Sequence, residues 1–336
     1  MAEGLKVAVV GATGMVGQEM LRTLEQRSFP VRELVPIASA RSAGKKVSFR
    51  GSERTVVEIA PEVFDGVDVA LFSAGGGTSR QWSPIAASRG ALVVDNSSAF
   101  RADPQVPLIV PEVNIDAAGD RPKGIIANPN CSTIQMVVAL KPIHDAARLK
   151  RVVVATYQAI SGAGAQAVEA FLAQARAAAS GSAVEKGKLS GQLAMNLLMH
   201  WTPDATTGYQ EEELKMVSET RKIFGDPSIA VSPTAVRVPV VTAHSEALAI
   251  ETHEPISASK ARELLEAAEG VQVVDDFAHG VYPQPIDAAG QDPVYVGRIR
   301  EDVGNPGGIQ MWVVSDNLRK GAALNAVQIA ERLLLK

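Results

Sequence analysis

Cys131 is the only cysteine of the chain and stands in the run Asn128-Pro129-Asn130-Cys131-Ser132-Thr133. Residues 124–127 before it read as a short buried strand, and residues 133–140 after it carry apolar side chains suited to a helix. Asn130 suits an N-cap, which sets the thiol in the first helical turn. Unpaired backbone N–H groups and the helix dipole favour the thiolate there, and the thiolate is the nucleophilic form. Taken alone, the hexapeptide fits a small buried apolar side chain equally well.

Three further stretches carry groups that can complete a site built on that sulfur. Tyr157-Gln158-Ala159-Ile160-Ser161-Gly162-Ala163-Gly164 ends a strand and begins a helix. Glu212 and Lys215 are three apart on a helix and so share a face. Arg237-Val238-Pro239-Val240-Val241-Thr242-Ala243-His244-Ser245-Glu246 ends with a histidine beside a strand.

A second kind of chemistry is written near the N-terminus. Gly11-Ala12-Thr13-Gly14-Met15-Val16-Gly17 follows the first strand and opens the first helix, with the spacing GxxGxxG. Glycines there allow a tight turn and a close approach to a pyrophosphate, which the helix N-terminus binds. A site for NAD usually places Asp or Glu at the end of the second strand, to hold the ribose hydroxyls. This chain offers Ser39-Ala40-Arg41-Ser42-Ala43-Gly44-Lys45 instead. Arg41, Ser42 and Ser39 are donors that match a 2′-phosphate, which favours NADP, whereas Lys45 and Lys46 read as a solvated loop. Ser73-Ala74-Gly75 ends another strand with residues small enough to let a cofactor lie close.

The elements that must position these groups fall into two textures. Over the first 130 residues, apolar strands at 5–10, 34–38, 67–72 and 91–94 alternate with helix-like segments such as 15–24. That alternation predicts a parallel sheet with helices on its faces, an α/β Rossmann-like domain. Beyond about residue 150, longer alternating strands at 152–159, 230–238, 247–252, 294–300 and 310–314 surround helices at 166–179, 211–224 and 259–268. This predicts an α+β domain on a mostly antiparallel or mixed sheet. A final amphipathic helix over 318–335, after a turn at Asp316-Asn317, should pack back on the first domain. The resulting division is residues 1–130 plus 317–336 against residues 131–316.

Composition bounds the function. Hydrophobic residues make up 46% and charged residues 21%, with net charge −4, and no basic stripe of the kind nucleic acid requires is present. One cysteine excludes an intrachain disulfide and a multi-Cys metal site. No apolar run reaches the roughly 20 residues that span a membrane. A cytoplasmic protein with small-molecule partners is the expectation.

Taken in order, GATGMVG, SARSAGK, DNSSAFR (residues 95–101), VPEVN (110–114), NPNCST, the YQAISGAG run, EEELKM (211–216) and RVPVVTAHSE resemble aspartate-semialdehyde dehydrogenase over nearly the whole chain. The resemblance implies an NADP-dependent, reversible reductive dephosphorylation of L-aspartyl 4-phosphate to L-aspartate 4-semialdehyde. That reaction serves biosynthesis of lysine and diaminopimelate, threonine, methionine and isoleucine. It also implies a homodimer, a Cys131 nucleophile, a His244 acid/base and a Gln158 that orients substrate. Arg237 matches the clamp for the substrate carboxylate, Arg101 and Lys215 the phosphate-holding residues, and Glu212 the group on the substrate amine. A solvated helix face is the rival reading for Glu212. Asn317 looks like the residue that reaches the nicotinamide amide, with helix capping as its rival, and Ser161 and Gly162 join the cofactor set. His144, His200, His253 and His279 match nothing. Two alternatives stay open: an N-acetylglutamyl-phosphate reductase-like enzyme, and a non-catalytic NADP-binding paralogue.

Overall fold

A computed structural model describes residues 4–199 and 204–335, so His200 lies outside the described residues. The chain forms two compact units, Met1–Asn130 with Ala322–Lys336, and Cys131–Gly321.

The first unit is built on a parallel sheet. Its elements are β1 (Leu5–Val10), α1 (Met15–Gln26), β2 (Val31–Ala38), β3 (Lys46–Phe49), β4 (Ser52–Thr55), β5 (Val57–Glu58), β6 (Val69–Phe72), α2 (Gly76–Ser88), β7 (Leu92–Asp95), α3 (Pro111–Asn114) and β8 (Ile125–Ala127). The sheet order is β5-β2-β1-β6-β7-β8, with every pairing parallel. Strands covered on both faces read as continuous apolar runs; accordingly Val7, Ala8, Val9 and Val10 of β1 and Val69–Phe72 are almost wholly buried. The strand order reverses beside β1, and in open parallel sheets the crevice beyond the carboxyl ends at such a point takes ligands.

The second unit contains α4 (Cys131–Ala147), β9 (Leu149–Gln158), α5 (Ala165–Ala179), α6 (Glu211–Phe224), β10 (Ala230–Arg237), β11 (His244–Thr252), α7 (Ala258–Glu266), β12 (Val271–Val273), α8 (Pro285–Ala288), β13 (Val294–Glu301) and β14 (Ile309–Ser315). Its sheet runs β10-β9-β11-β14-β13-β12 and is mixed: the two outer pairings are parallel and the three inner ones antiparallel. Gln158 Nε2 donates to Ser132 Oγ of α4 at 3.0 Å, so Gln158 and Thr156 face α4. Glu246 pairs across from Thr156, and His244 from Ser315, which sets all of these on that same face.

The chain returns to the first unit through α9 (Leu324–Leu334), which packs on α1, α3 and β7. The single helix read from the sequence over 318–335 is two elements here. A π-helical turn, Arg319–Ala323, precedes α9; such turns are rare and are frequent at functional sites.

The hairpin β3–β4, the helix α2 and the strand β12 were not legible in the sequence. β4 is exposed throughout, so it has no buried alternation to betray it. α2 opens on Gly76 and Gly77 and contains Pro84, all poor helix formers.

Candidate active site

Cys131 begins α4, and its sulfur lies 3.3 Å from Nε2 of His244, the first residue of β11. The thiol is partly exposed while the imidazole is 1% exposed. Just upstream, buried amides fix the run that leads into Cys131. Asn128 Nδ2 donates to Asn96 Oδ1 at 2.6 Å, and Asn325 Nδ2 donates to Asn128 Oδ1 at 2.7 Å. Asn96 belongs to a loop anchored by Asp95, which accepts from Ser79 Oγ, Ser97 Oγ and the Ser97 N–H. Burial pushes the Asp95 carboxyl upward, opposed by those hydrogen bonds and by Arg101. Arg101 Nη2 donates to the Asn96 carbonyl at 2.9 Å.

Around the sulfur, β9 ends at Gln158 and the backbone of Ala159 links two side chains. The Ala159 N–H donates to His244 Nδ1 at 2.9 Å, and the Ala159 carbonyl accepts from Arg237 Nη1 at 2.6 Å. Arg237 is 6% exposed; burial lowers its pKa, countered by the charges of Cys131 and Glu212. Burial, reinforced by Arg237, holds the His244 imidazole well below its ordinary value. A buried imidazole beside a fixed cation favours its neutral form.

Glu212 and Lys215 do share a face of α6, 3.7 Å apart, and Lys215 also pairs with Glu211 at 2.9 Å. Glu212 Oε1 accepts from Gln158 Nε2 at 3.4 Å, so it points into the site rather than lying on a solvated face. Its neighbour Glu213 serves the fold: Oε2 caps the helix by accepting the Gln210 N–H, and Oε1 takes the Ala235 N–H of β10.

Asn317 does not cap the helix that follows it. Its Oδ1 accepts the Ala243 N–H at 3.0 Å and its Nδ2 donates to Ser161 Oγ at 2.9 Å. Asp316 takes the capping part, accepting from the N–H groups of Leu318 and Arg319. Gly162 stands over the same space. A Cβ on it would lie 3.4 Å from Arg237 Nη1 and 3.5 Å from His244 Nε2, so the absent side chain leaves both donors accessible. Gly321 abuts Cys131 itself, where a Cβ would lie 2.8 Å from Cys131 Cβ. The sequence reading missed Ser132, Ala159 and Gly321. Ala159 acts through its backbone and Gly321 through a missing Cβ, and neither leaves a side-chain signature.

The first unit contains a cavity of about 380 Å³ lined by Gly11, Thr13 and Gly14, by Ser39, Arg41 and Ser42, by Ser73 and Ala74, and by Thr78 and Trp82 among others. Gly11 has φ +89°, and a Cβ there would lie 2.3 Å from the Ser73 carbonyl. A Cβ at Gly17 would lie 2.2 Å from the Gly11 carbonyl. Only glycine fits this turn, as a pyrophosphate cradle requires. No carboxylate lines the cavity, and Arg41 with two serines stands where a ribose-binding acid would be. The lining suits a dinucleotide. Met15, Val16 and Gly75 lie outside the lining, Met15 and Val16 in the first turn of α1 and Gly75 at the start of α2.

Of the remaining histidines, His144 makes a tilted ring contact with Phe224 and accepts the Leu149 N–H, and His279 pairs with Asp276 at the surface. No helix among the described residues is long and apolar enough to cross a membrane.

Comparison with known proteins gives this geometry its context. Residues 6–120 match the semialdehyde dehydrogenase NAD binding domain, and residues 140–320 match the semialdehyde dehydrogenase dimerisation domain. The chain is 55% identical to an aspartate-semialdehyde dehydrogenase of Aquifex aeolicus, over 98% of each. The solved structure of aspartate semialdehyde dehydrogenase II from Vibrio cholerae, complexed with ASA, superposes with a TM-score of 0.96 at 47% identity, covering 100% of this chain and 99% of that one. The aspartate semialdehyde dehydrogenase of Candida albicans, solved with NADP, has a TM-score of 0.75 at 26% identity, covering 98% of each.

Proposed function

The chain belongs to the aspartate-semialdehyde dehydrogenase family, and from that premise we propose that Cys131 carries the substrate as a thioester in an NADP-dependent reaction. The reaction is the reversible reductive dephosphorylation of L-aspartyl 4-phosphate to L-aspartate 4-semialdehyde, a step of amino-acid biosynthesis. The observation that carries this reading is the Cys131–His244 pair at 3.3 Å, flanked by the buried Arg237 and the Gln158–Glu212 contact.

In the oxidative direction the Cys131 sulfur adds to the aldehyde carbon, forming a C–S bond. The bound dinucleotide supplies the hydride chemistry, as acceptor in this direction and donor in the other. Collapse of the tetrahedral adduct leaves a thioester on Cys131. Phosphate, held by Arg101 and Lys215, attacks that carbonyl, and the C–S bond breaks to release the acyl phosphate. Sulfur serves both halves because a thiolate attacks well and leaves well. Arg237 grips the substrate carboxylate with its planar fork, Glu212 takes the substrate amine, and Gln158, bonded to Ser132 of the same helix as the nucleophile, orients the carbonyl. Arg41, Ser42 and Ser39 hold the 2′-phosphate of NADP, Gly11, Thr13 and Gly14 its pyrophosphate, and Ser73 and Ala74 its walls. Asn317, Ser161 and Gly162 form the end of the site that meets the nicotinamide.

The family match supports a homodimer. The sheet face of the second unit turned away from α4 carries Val153 and Tyr157, each 37% exposed, and Trp312, tilted against the Tyr157 ring, an apolar surface suited to a second copy. A catalytic thiol must stay reduced, which supports a cytoplasmic setting. The test is phosphate-dependent reduction of NADP⁺ by L-aspartate 4-semialdehyde, wild type beside Cys131→Ala. Turnover that vanishes in the variant while NADP binding persists supports the reading. Activity only on N-acetylated glutamate 5-semialdehyde would replace it.

A further inference from the structure

We propose that Asp95 is a positioning residue for phosphate: its buried carboxylate sets the loop that carries Arg101. The inference rests on the reading above, in which Arg101 holds phosphate, and concerns a residue to which that reading gives no part.

Residues 96–110, between β7 and α3, form no helix or strand of their own, so local hydrogen bonds must set the place of Arg101. Asp95 ends β7 and is fully buried. Its Oδ1 accepts the Ser97 N–H at 2.9 Å and Ser79 Oγ at 2.8 Å, and its Oδ2 accepts Ser97 Oγ at 2.9 Å. Ser97 Oγ in turn accepts the Ala99 N–H at 3.1 Å. Two side-chain turns, each spanning two residues, thus run head to tail from Asp95 to Ala99, two residues short of Arg101. The far end of the loop is tied back to its start. Arg101 Nη2 donates to the Asn96 carbonyl at 2.9 Å, and the Asn96 N–H donates to the Phe72 carbonyl of β6 at 2.9 Å. The guanidinium is held against the first residue after β7, and the Asp95 carboxylate decides how the loop folds back to bring it there.

Aspartate alone meets the demands of this position. With Oδ1 kept on the Ser97 N–H, an asparagine would turn its Nδ2 donor toward Ser97 Oγ. That hydroxyl would then accept from both Nδ2 and Ala99 and lose the acceptor of its own proton. A glutamate would add a methylene where the residue is 0% exposed, which overpacks the site. Burial opposes ionisation of Asp95, while its hydrogen bonds and Arg101 favour it. Ser79 belongs to α2, next to Thr78, which lines the dinucleotide cavity, so the same carboxylate braces the loop against that helix. A guanidinium held in place beforehand meets phosphate with its planar fork at less ordering cost.

The test compares Asp95→Asn, Ser97→Ala and Ser97→Thr in the full-length protein, with inorganic phosphate as the varied substrate. Stopped-flow reduction of NADP⁺ without phosphate reads acylation of Cys131, and steady-state turnover against phosphate reads the release. Asp95→Asn and Ser97→Ala should raise the KM for phosphate about 10- to 100-fold, the loss expected when a group is misplaced by up to about 1 Å. The phosphate-independent burst of NADPH should fall far less. Ser97→Thr, which keeps the hydroxyl, should restore the phosphate KM. An unchanged phosphate KM in Asp95→Asn, or in Ser97→Ala should Asp95→Asn fail to fold, overturns the proposal. Equal losses in the burst and in the phosphate step also overturn it, because they mark a part in folding alone. Arg101→Ala separates the two failures. A raised phosphate KM there, beside unchanged values in the other variants, sinks the positioning role alone; an unchanged value in Arg101→Ala sinks the phosphate-holding role of Arg101 and this proposal with it.

Discussion

Gly321→Ala is the substitution whose effect the structure fixes most tightly. Gly321 sits in the π-helical turn Arg319–Ala323, and an added Cβ would lie 2.8 Å from Cβ and 3.3 Å from Cα of Cys131. Ordinary contact begins at 3.4 Å, so relief requires a displacement of 3.4 − 2.8 = 0.6 Å. Neither atom is the loose end of a side chain. Cys131 Cβ is set by the backbone of α4, whose next residues, Ser132 to Leu140, are buried almost without gap. The sulfur must therefore move relative to His244 and Arg237. A displacement of about 1 Å in a reacting group costs roughly 10²-fold, so about 0.6 Å should lower kcat/KM by roughly 10- to 100-fold. The accompanying overpacking should cost about 1–3 kcal/mol of stability. The assay is phosphate-dependent NADP⁺ reduction by the semialdehyde, together with NADP affinity followed by tryptophan fluorescence, since Trp82 lines the cofactor cavity. The expected result is the loss in kcat/KM with cofactor affinity unchanged. A variant with wild-type kcat/KM would refute the placement of Gly321 against the nucleophile.

Arg237→Lys keeps the charge but removes the planar fork; it should cost roughly 10²-fold in kcat/KM, about 2–3 kcal/mol, expressed largely in KM for the semialdehyde. Steady-state kinetics check it, and an unchanged KM would exclude Arg237 as the carboxylate clamp. Arg41→Ala should weaken NADP by about 10-fold and leave NAD affinity unaltered, as loss of one charge-assisted contact to a 2′-phosphate would; equal loss for both dinucleotides would count against that contact. Glu246 offers a pH test. Burial raises its native pKa well above that of a free carboxyl, so the neutral acid's contribution to stability is fully present below the unfolded value and is lost as pH rises through the native one. Glu246→Gln, which cannot ionise, should therefore gain in Tm relative to wild type as pH rises from about 5 to 8, and a constant difference would show that Glu246 does not titrate on unfolding.

Much of this site is legible in the residues themselves because its chemistry is carried by side chains with few other uses. A lone Cys after Asn-Pro-Asn, a His seven residues beyond an Arg, and a glycine turn between a strand and a helix each single themselves out, and the Cys and the His meet at 3.3 Å. The parallel sheet is equally visible, since strands such as β1 and β6 are buried on both faces and read as unbroken apolar runs. Legibility ends where position is set by backbone groups or by the absence of atoms. The Ala159 N–H that fixes His244, and the bare Cα of Gly321 beside Cys131, have no side chain to read. Asn317 shows a different limit: its residue type fits a helix cap, and only the Ser161 and Ala243 hydrogen bonds reveal that it joins two loops instead. The π turn before α9 is likewise invisible, because the amphipathic period runs through it with little interruption.

The central claim is a covalent acyl intermediate on Cys131. Reacting the protein with L-aspartate 4-semialdehyde and NADP⁺ in the absence of phosphate, quenching in acid and analysing peptides by mass spectrometry tests it most directly. The account predicts an aspartyl adduct on the peptide containing Cys131, which disappears when phosphate is added before the quench. An unmodified Cys131 peptide, in protein that has reduced a stoichiometric amount of NADP⁺, would contradict it.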